Sequence, residues 1–200
     1  SAAVLMSPPG QDAGLSPAPP WPRPAVAWYA LGILVIAFIF SFIDRIILAM
    51  LVEPLKQDLG LTDTQLGVLQ GLAFAVFYAA VGLPIGRLAD RYSRRAIIGW
   101  GILLWSVMTA VCGLARNFWE LFLARVGVGV GEAALSPAAY SMIADYFPRE
   151  KLGRAIGVYQ AGAFFGAGLS FLVGGFVIQA VAQAGAISLP LIGAVRPWQV

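Results

Sequence analysis

Gly86-Arg87-Leu88-Ala89-Asp90-Arg91-Tyr92-Ser93-Arg94-Arg95 places four arginines in ten residues between two long apolar runs. A segment this charged is kept out of hydrocarbon, so the runs on either side read as membrane spans. The loop also sets a side. Arginine-rich short loops stay in the cytoplasm, and every other segment takes its orientation from that one.

Composition agrees with a membrane protein. The 200 residues are 60% hydrophobic and 12% charged, about half the charge that a soluble domain carries. Histidine is absent, which removes the commonest physiological general base and metal ligand. The single cysteine, Cys112, lies in an apolar run and forms no internal disulfide. No cofactor, metal or nucleic-acid partner is expected. No nucleophile–base constellation points to an enzyme.

Residues 1–25 are rich in Pro, Ala, Gly and Ser and read as a disordered tail. Residues 26–200 read as one transmembrane bundle, with spans near 28–52, 66–85, 96–115, 118–146 and 154–181. Each holds enough apolar residues to cross about 30 Å as a helix. Thr62-Asp63-Thr64-Gln65 has the form of a capping box opening the second span, and Asn117 is placed to cap the fourth. Pro84 and Pro137 fall inside spans. One set of loops carries Arg23, Arg87, Arg91, Arg94, Arg95, Arg149, Lys151 and Arg154. The other carries Lys56, Arg116 and Arg196 against Glu53, Asp58, Asp63 and Glu120. The first set is therefore assigned to the cytoplasm, with the amino terminus. The last dozen residues read as an outer loop approaching a sixth span, so the bundle is expected to be part of a longer protein.

Four ionisable residues fall inside spans: Asp44 and Arg45 in the first, Arg125 and Glu132 in the fourth. Each costs about 2.5–3.5 kcal/mol at a helix centre, so they should face inward and pair. Arg125 lies two helical turns outward of Glu132, about 10 Å, on nearly the same face. Asp44 and Arg45 lie about 8 Å outward of the middle of their own span. The depths predict an Asp44–Arg125 contact, and an Arg45–Glu132 contact made by a long side chain reaching inward. Such a set serves either as a proton relay with an anion site or as a static brace between two helices. In the relay reading Asp44 and Glu132 carry protons, and Arg45 and Arg125 bind a substrate anion.

Gln70, Phe74 and Tyr78 share one face of the second span and are candidates to line a cavity, as are Tyr159 and Gln160. Small residues at four-residue spacing, Gly162, Gly166, Ser170 and Gly174 in the fifth span and Gly127 and Gly131 in the fourth, read as close helix contacts. Gly127-Val128-Gly129-Val130-Gly131 is no nucleotide loop, because no strand precedes it.

Gly86 to Arg95 resembles the loop signature of the major facilitator superfamily, G-x-L-A-D-R-x-G-R-R/K, with Ser93 at the usual second glycine. Arg125-x-Gly127-x-Gly129 matches the superfamily's fourth span, whereas the fifth span lacks the Gly-Pro pairing of its antiporters. The chain is most similar to the Spinster branch, of bacterial type. Asp44-Arg45-Ile46-Ile47-Leu48, Leu61 to Gly67, Gly82 to Arg91 and Arg125 to Ala133 carry that likeness. The resemblance implies an all-α membrane protein, the amino-terminal helical bundle of a twelve-span carrier with five spans present here. It implies alternating access, a carboxy-terminal half as partner, lipid-like anionic substrates and frequent proton coupling, in a bacterial inner membrane. It assigns the protons to Asp44 and Glu132 and an intramembrane arginine to Arg45. It also implies a cytoplasmic gate of Gly86, Asp90, Arg91, Arg94 and Arg95, joined by Asp145 and Arg154 at the next inner loop. Simple topology accounts equally well for Arg91 and Arg95. The competing readings are a carrier of small organic anions, such as a sugar acid or aromatic carboxylate, and a non-transporting receptor or scaffold.

Overall fold

The computed structural model describes residues 21–184 and the strand pairs 187–189 and 193–195, with backbone alone for Asp90, Val177, Ile178 and everything from residue 180 onward. It is an α-helical bundle. Five helical stretches are long and apolar enough to cross a membrane: Pro24–Met50, Asp63–Ala89, Arg94–Leu114, Phe118–Tyr146 and Arg149–Phe176. The expected tail lies mostly outside the described residues, and Pro24 and Ala25 already belong to the first helix.

The first span is α1 (Pro24–Met50), and Pro24 stands where its missing N–H costs nothing. A short surface helix, α2 (Val52–Leu59), follows and ends on Gly60, whose φ of 62° suits glycine. The second span begins at α3 (Asp63–Gly67). Thr62 accepts from the Gln65 amide while the Gln65 side chain accepts from the Thr62 amide, the capping box read from sequence. Lys56 on α2 donates to Asp63, and that hydrogen bond raises the lysine's pKa above its ordinary value. A π-helical turn, Val68–Leu72, then leads into α4 (Ala73–Arg91).

The third span is α5 (Arg94–Leu114). The fourth is α6 (Phe118–Glu132) followed by α7 (Leu135–Tyr146), and Asn117 caps α6 by accepting from the Glu120 amide. The sequence reading treats residues 118–146 as one continuous helix, but the structure interrupts it directly after Glu132. Pro137 supplies the reason: it has no N–H for the carbonyl four residues back, and its ring crowds that carbonyl. The fifth span is α8 (Arg149–Ala184). Two strands, β1 (Ile187–Leu189) and β2 (Gly193–Val195), pair antiparallel beyond it.

Packing follows the small residues. α1 lies along α8 and α5 along α6, the two most extensive helix pairs. A Cβ on Gly166 would come within 2.8 Å of the Ile39 carbonyl, and one on Gly131 within 2.6 Å of the Trp105 amide. Gly129 brings α6 against the Phe74 backbone of α4 at 3.1 Å by the same measure. These contacts give the close approach that apolar helices in lipid need, where burial alone supplies no force between them. Tyr159 is fully buried, stacked on Phe38 at 4.5 Å and edge-on to Tyr140. It is a packing residue, and Gln160 beside it is exposed.

Candidate functional site

All four intramembrane charges meet in two pairs that link α1 to α6. Arg45 contacts Glu132 through Nη2 at 2.6 Å and Nε at 2.7 Å, both to Oε2. The Ser41 hydroxyl donates to the same oxygen at 2.7 Å. Arg125 reaches Asp44 at 3.3 Å, and Thr109 of α5 donates to the other Asp44 oxygen at 3.0 Å. Both contacts are those that the depth argument predicts. α1 and α6 are not a close-packed pair, so these long side chains bridge a gap instead of crowning a helix contact.

The surroundings differ in wetness. The Glu132 side chain is wholly buried, and its Oε1 has no hydrogen-bond partner. The Arg45 side chain keeps 28% of its surface exposed. Its guanidinium lies over three rings, 4.6 Å from Phe74, 5.2 Å from Tyr78 and 5.3 Å from Phe42. Rings so placed hold a cation by their negative faces without consuming its N–H donors. Phe74 and Tyr78 stack on each other at 5.4 Å, and the Tyr78 hydroxyl donates to Ser136 at 3.3 Å. Arg125 also faces Phe74, at 5.7 Å. Phe74 and Tyr78 thus join the charged layer. Gln70, on the π-helical turn, is exposed and makes no hydrogen bond or ring contact among those described.

The break after Glu132 matters here. It ends α6 on the buried acid and sends α7 off from Leu135, which brings Ser136 to Tyr78. Ser41, Thr109 and Ser136 are absent from the sequence reading. Ser41 sits one turn before Arg45 on the same α1 face, a signal in plain view. Thr109 gives none, because α5 has no charge near it to suggest a polar neighbour.

At the other end of the bundle, Arg94 pairs with Asp145 and Arg95 donates to the Tyr146 hydroxyl at 2.5 Å. Arg91 is exposed. The Asp90 side chain lies outside the described atoms. The Arg154 guanidinium lies over the Trp28 ring at 5.7 Å, because α8 runs beside α1 and brings that arginine to the amino-terminal end of α1. A Cβ on Gly86 would meet nothing within 4 Å, so no close approach inside this bundle requires that glycine.

The sequence profile of the Major Facilitator Superfamily matches residues 33–195. The chain belongs to the Major Facilitator Superfamily. Its fold matches the crystal structure of a bacterial homologue of the human lysosomal transporter Spinster, in an inward-facing, unoccupied conformation. The TM-score is 0.78 at 34% identity, over 89% of this chain and 40% of that one. The sphingosine-1-phosphate transporter SPNS2 of Xenopus tropicalis is 32% identical over 80% of this chain and 31% of its own length. A probable L-galactonate transporter of Escherichia coli K12 is 33% identical over 70% of this chain and 31% of its own. The chain therefore spans about a third of the length of these curated relatives. They are transporters, not enzymes, and with five candidate spans this superfamily member is an integral membrane protein.

Proposed function

We propose that this bundle is the amino-terminal half-site of a proton-coupled secondary transporter of amphipathic anionic lipids, lysophospholipid-like or sphingosine-1-phosphate-like, working by alternating access. Asp44 and Glu132 carry the protons. Arg45 and Arg125, with Gln70, Phe74 and Tyr78, take the anionic headgroup. Gly86, Asp90, Arg91, Arg94, Arg95, Asp145 and Arg154 form the gate at the cytoplasmic end, where the amino terminus also lies, in a bacterial inner membrane. A carboxy-terminal half completes the cavity.

The observation that carries this reading is the Arg45–Glu132 pair. A wholly buried carboxylate neutralises an arginine whose other face is partly open and bedded on aromatic rings. When Glu132 takes a proton, Arg45 is released with its fork of donors free for a phosphate or carboxylate. The rings keep the guanidinium in place during the exchange. Similarity to a transporter of sphingosine-1-phosphate supports the lipid class. Similarity to a probable L-galactonate transporter supports the second reading, a carrier of small organic anions.

The full-length protein in proteoliposomes under a proton gradient decides between them. The lipid reading expects uptake of a lysophosphatidate that excess sugar acid does not displace, lost in Glu132→Gln and Asp44→Asn. Uptake of the sugar acid, with no lysolipid flux, favours the small-anion carrier. Flux of neither solute points to a receptor or scaffold.

A further inference from the structure

We propose that the cleft between the end of α4 and the start of α5 holds the phosphate of an anionic phospholipid from the surrounding bilayer. The cleft measures about 290 Å³, and its lining includes Arg91, Ser93, Arg94, Arg95, Met142 and Tyr146.

Its electrostatics call for an anion. The amino-terminal end of a helix carries partial positive charge and unpaired amides, and it favours acids. α5 has no acid in its first turn, and Ser93 makes no side-chain cap. Arginines occupy the first two positions instead. Within the cleft Arg94 is paired to Asp145 through one terminal nitrogen, but its Nε is buried without a partner. Arg95 spends Nη2 on the Tyr146 hydroxyl. Arg91 has no ion pair among the described residues. By sequence, Gly86–Arg95 holds four arginines and one acid. A phosphate has the charge and the several acceptor oxygens to serve a helix amide and a guanidinium together.

Position argues that a lipid brings this phosphate. The cleft lies where two spans end, at Ala89 and Arg94. Tyr92 in its lining and Leu88, next to the lining residue Ala89, are 66% and 45% exposed, an apolar and aromatic flank on which acyl chains can lie. Basic pockets at helix ends near the membrane surface bind anionic headgroups in this way. The proposal is independent of the transported solute. A lipid seated there would brace Arg91 and Arg95, both assigned above to the gate.

The test is lipid binding by the purified full-length protein, followed by native mass spectrometry with phosphatidylglycerol, phosphatidylcholine and inorganic phosphate as probes. Phosphatidylglycerol should bind about tenfold more tightly than phosphatidylcholine. The double variant Arg91→Gln/Arg95→Gln should bring the two lipids to parity. Ser93→Asp should do the same without lowering Tm, because it puts a carboxylate on the open amides of α5. Equal binding of the two lipids by the unaltered protein would overturn the proposal, as would a preference that survives both variants. Displacement of phosphatidylglycerol by millimolar inorganic phosphate would overturn the lipid assignment.

Discussion

Arg45–Glu132 and Arg125–Asp44 join the same two helices, yet they are built to different tolerances. Glu132 is wholly buried and collects three donors on one oxygen at 2.6–2.7 Å. Asp44 keeps 15% of its side chain exposed, meets Arg125 at 3.3 Å and gives its second oxygen to Thr109. The first pair is a tight clasp between α1 and α6. The second is looser and recruits a third helix, α5. A buried charge must be matched closely or it is very costly, whereas a partly wet one can be matched approximately. The tight pair therefore has the more to lose or gain from a single proton.

The largest effect should come from Arg45→Met. It leaves the Glu132 carboxylate buried with Ser41 as its remaining donor, a loss of about 3–5 kcal/mol of stability in the full-length protein. Denaturation in detergent reads it, and the double variant Arg45→Met/Glu132→Leu should recover most of the loss. Arg125→Met should cost less, about 2 kcal/mol, because Asp44 keeps Thr109 and some solvent. If Arg125→Met costs more than Arg45→Met, the ranking of the pairs is reversed. Ser41→Ala should cost about 1.5 kcal/mol, since its hydroxyl donates to a buried charge. Thr109→Val should cost about 1 kcal/mol or less, at the wetter acid. Equal costs at Ser41 and Thr109 would erase the distinction between the two environments.

Much of this was legible in the sequence, because a bilayer makes the rules strict. Apolar runs gave the spans, the capping box at Thr62 and the cap at Asn117 gave two helix starts, and the need to pair buried charges gave both ion pairs. Glycine spacing marked the close-contact faces of α6 and α8, and the structure supplies their partners, α5 and α1. What escaped was local or depended on neighbours. The break after Glu132 needs Pro137 to win against a continuous apolar helix, and the π-helical turn at Val68–Leu72 has no periodic signature. Thr109 matters only because α5 packs beside Asp44, a tertiary fact. The Trp28 ring beside Arg154 likewise depends on the α1–α8 contact and has no signal in the chain order.

The central claim is that protonation of Glu132 opens the tight pair and frees Arg45. Proton movement on substrate addition tests it most directly, in liposomes carrying the full-length protein and a pH-sensitive dye. The unaltered protein should take up protons together with lysolipid, and Glu132→Gln, folded and still able to bind the lipid, should move none. Proton uptake by Glu132→Gln equal to that of the unaltered protein would contradict the account.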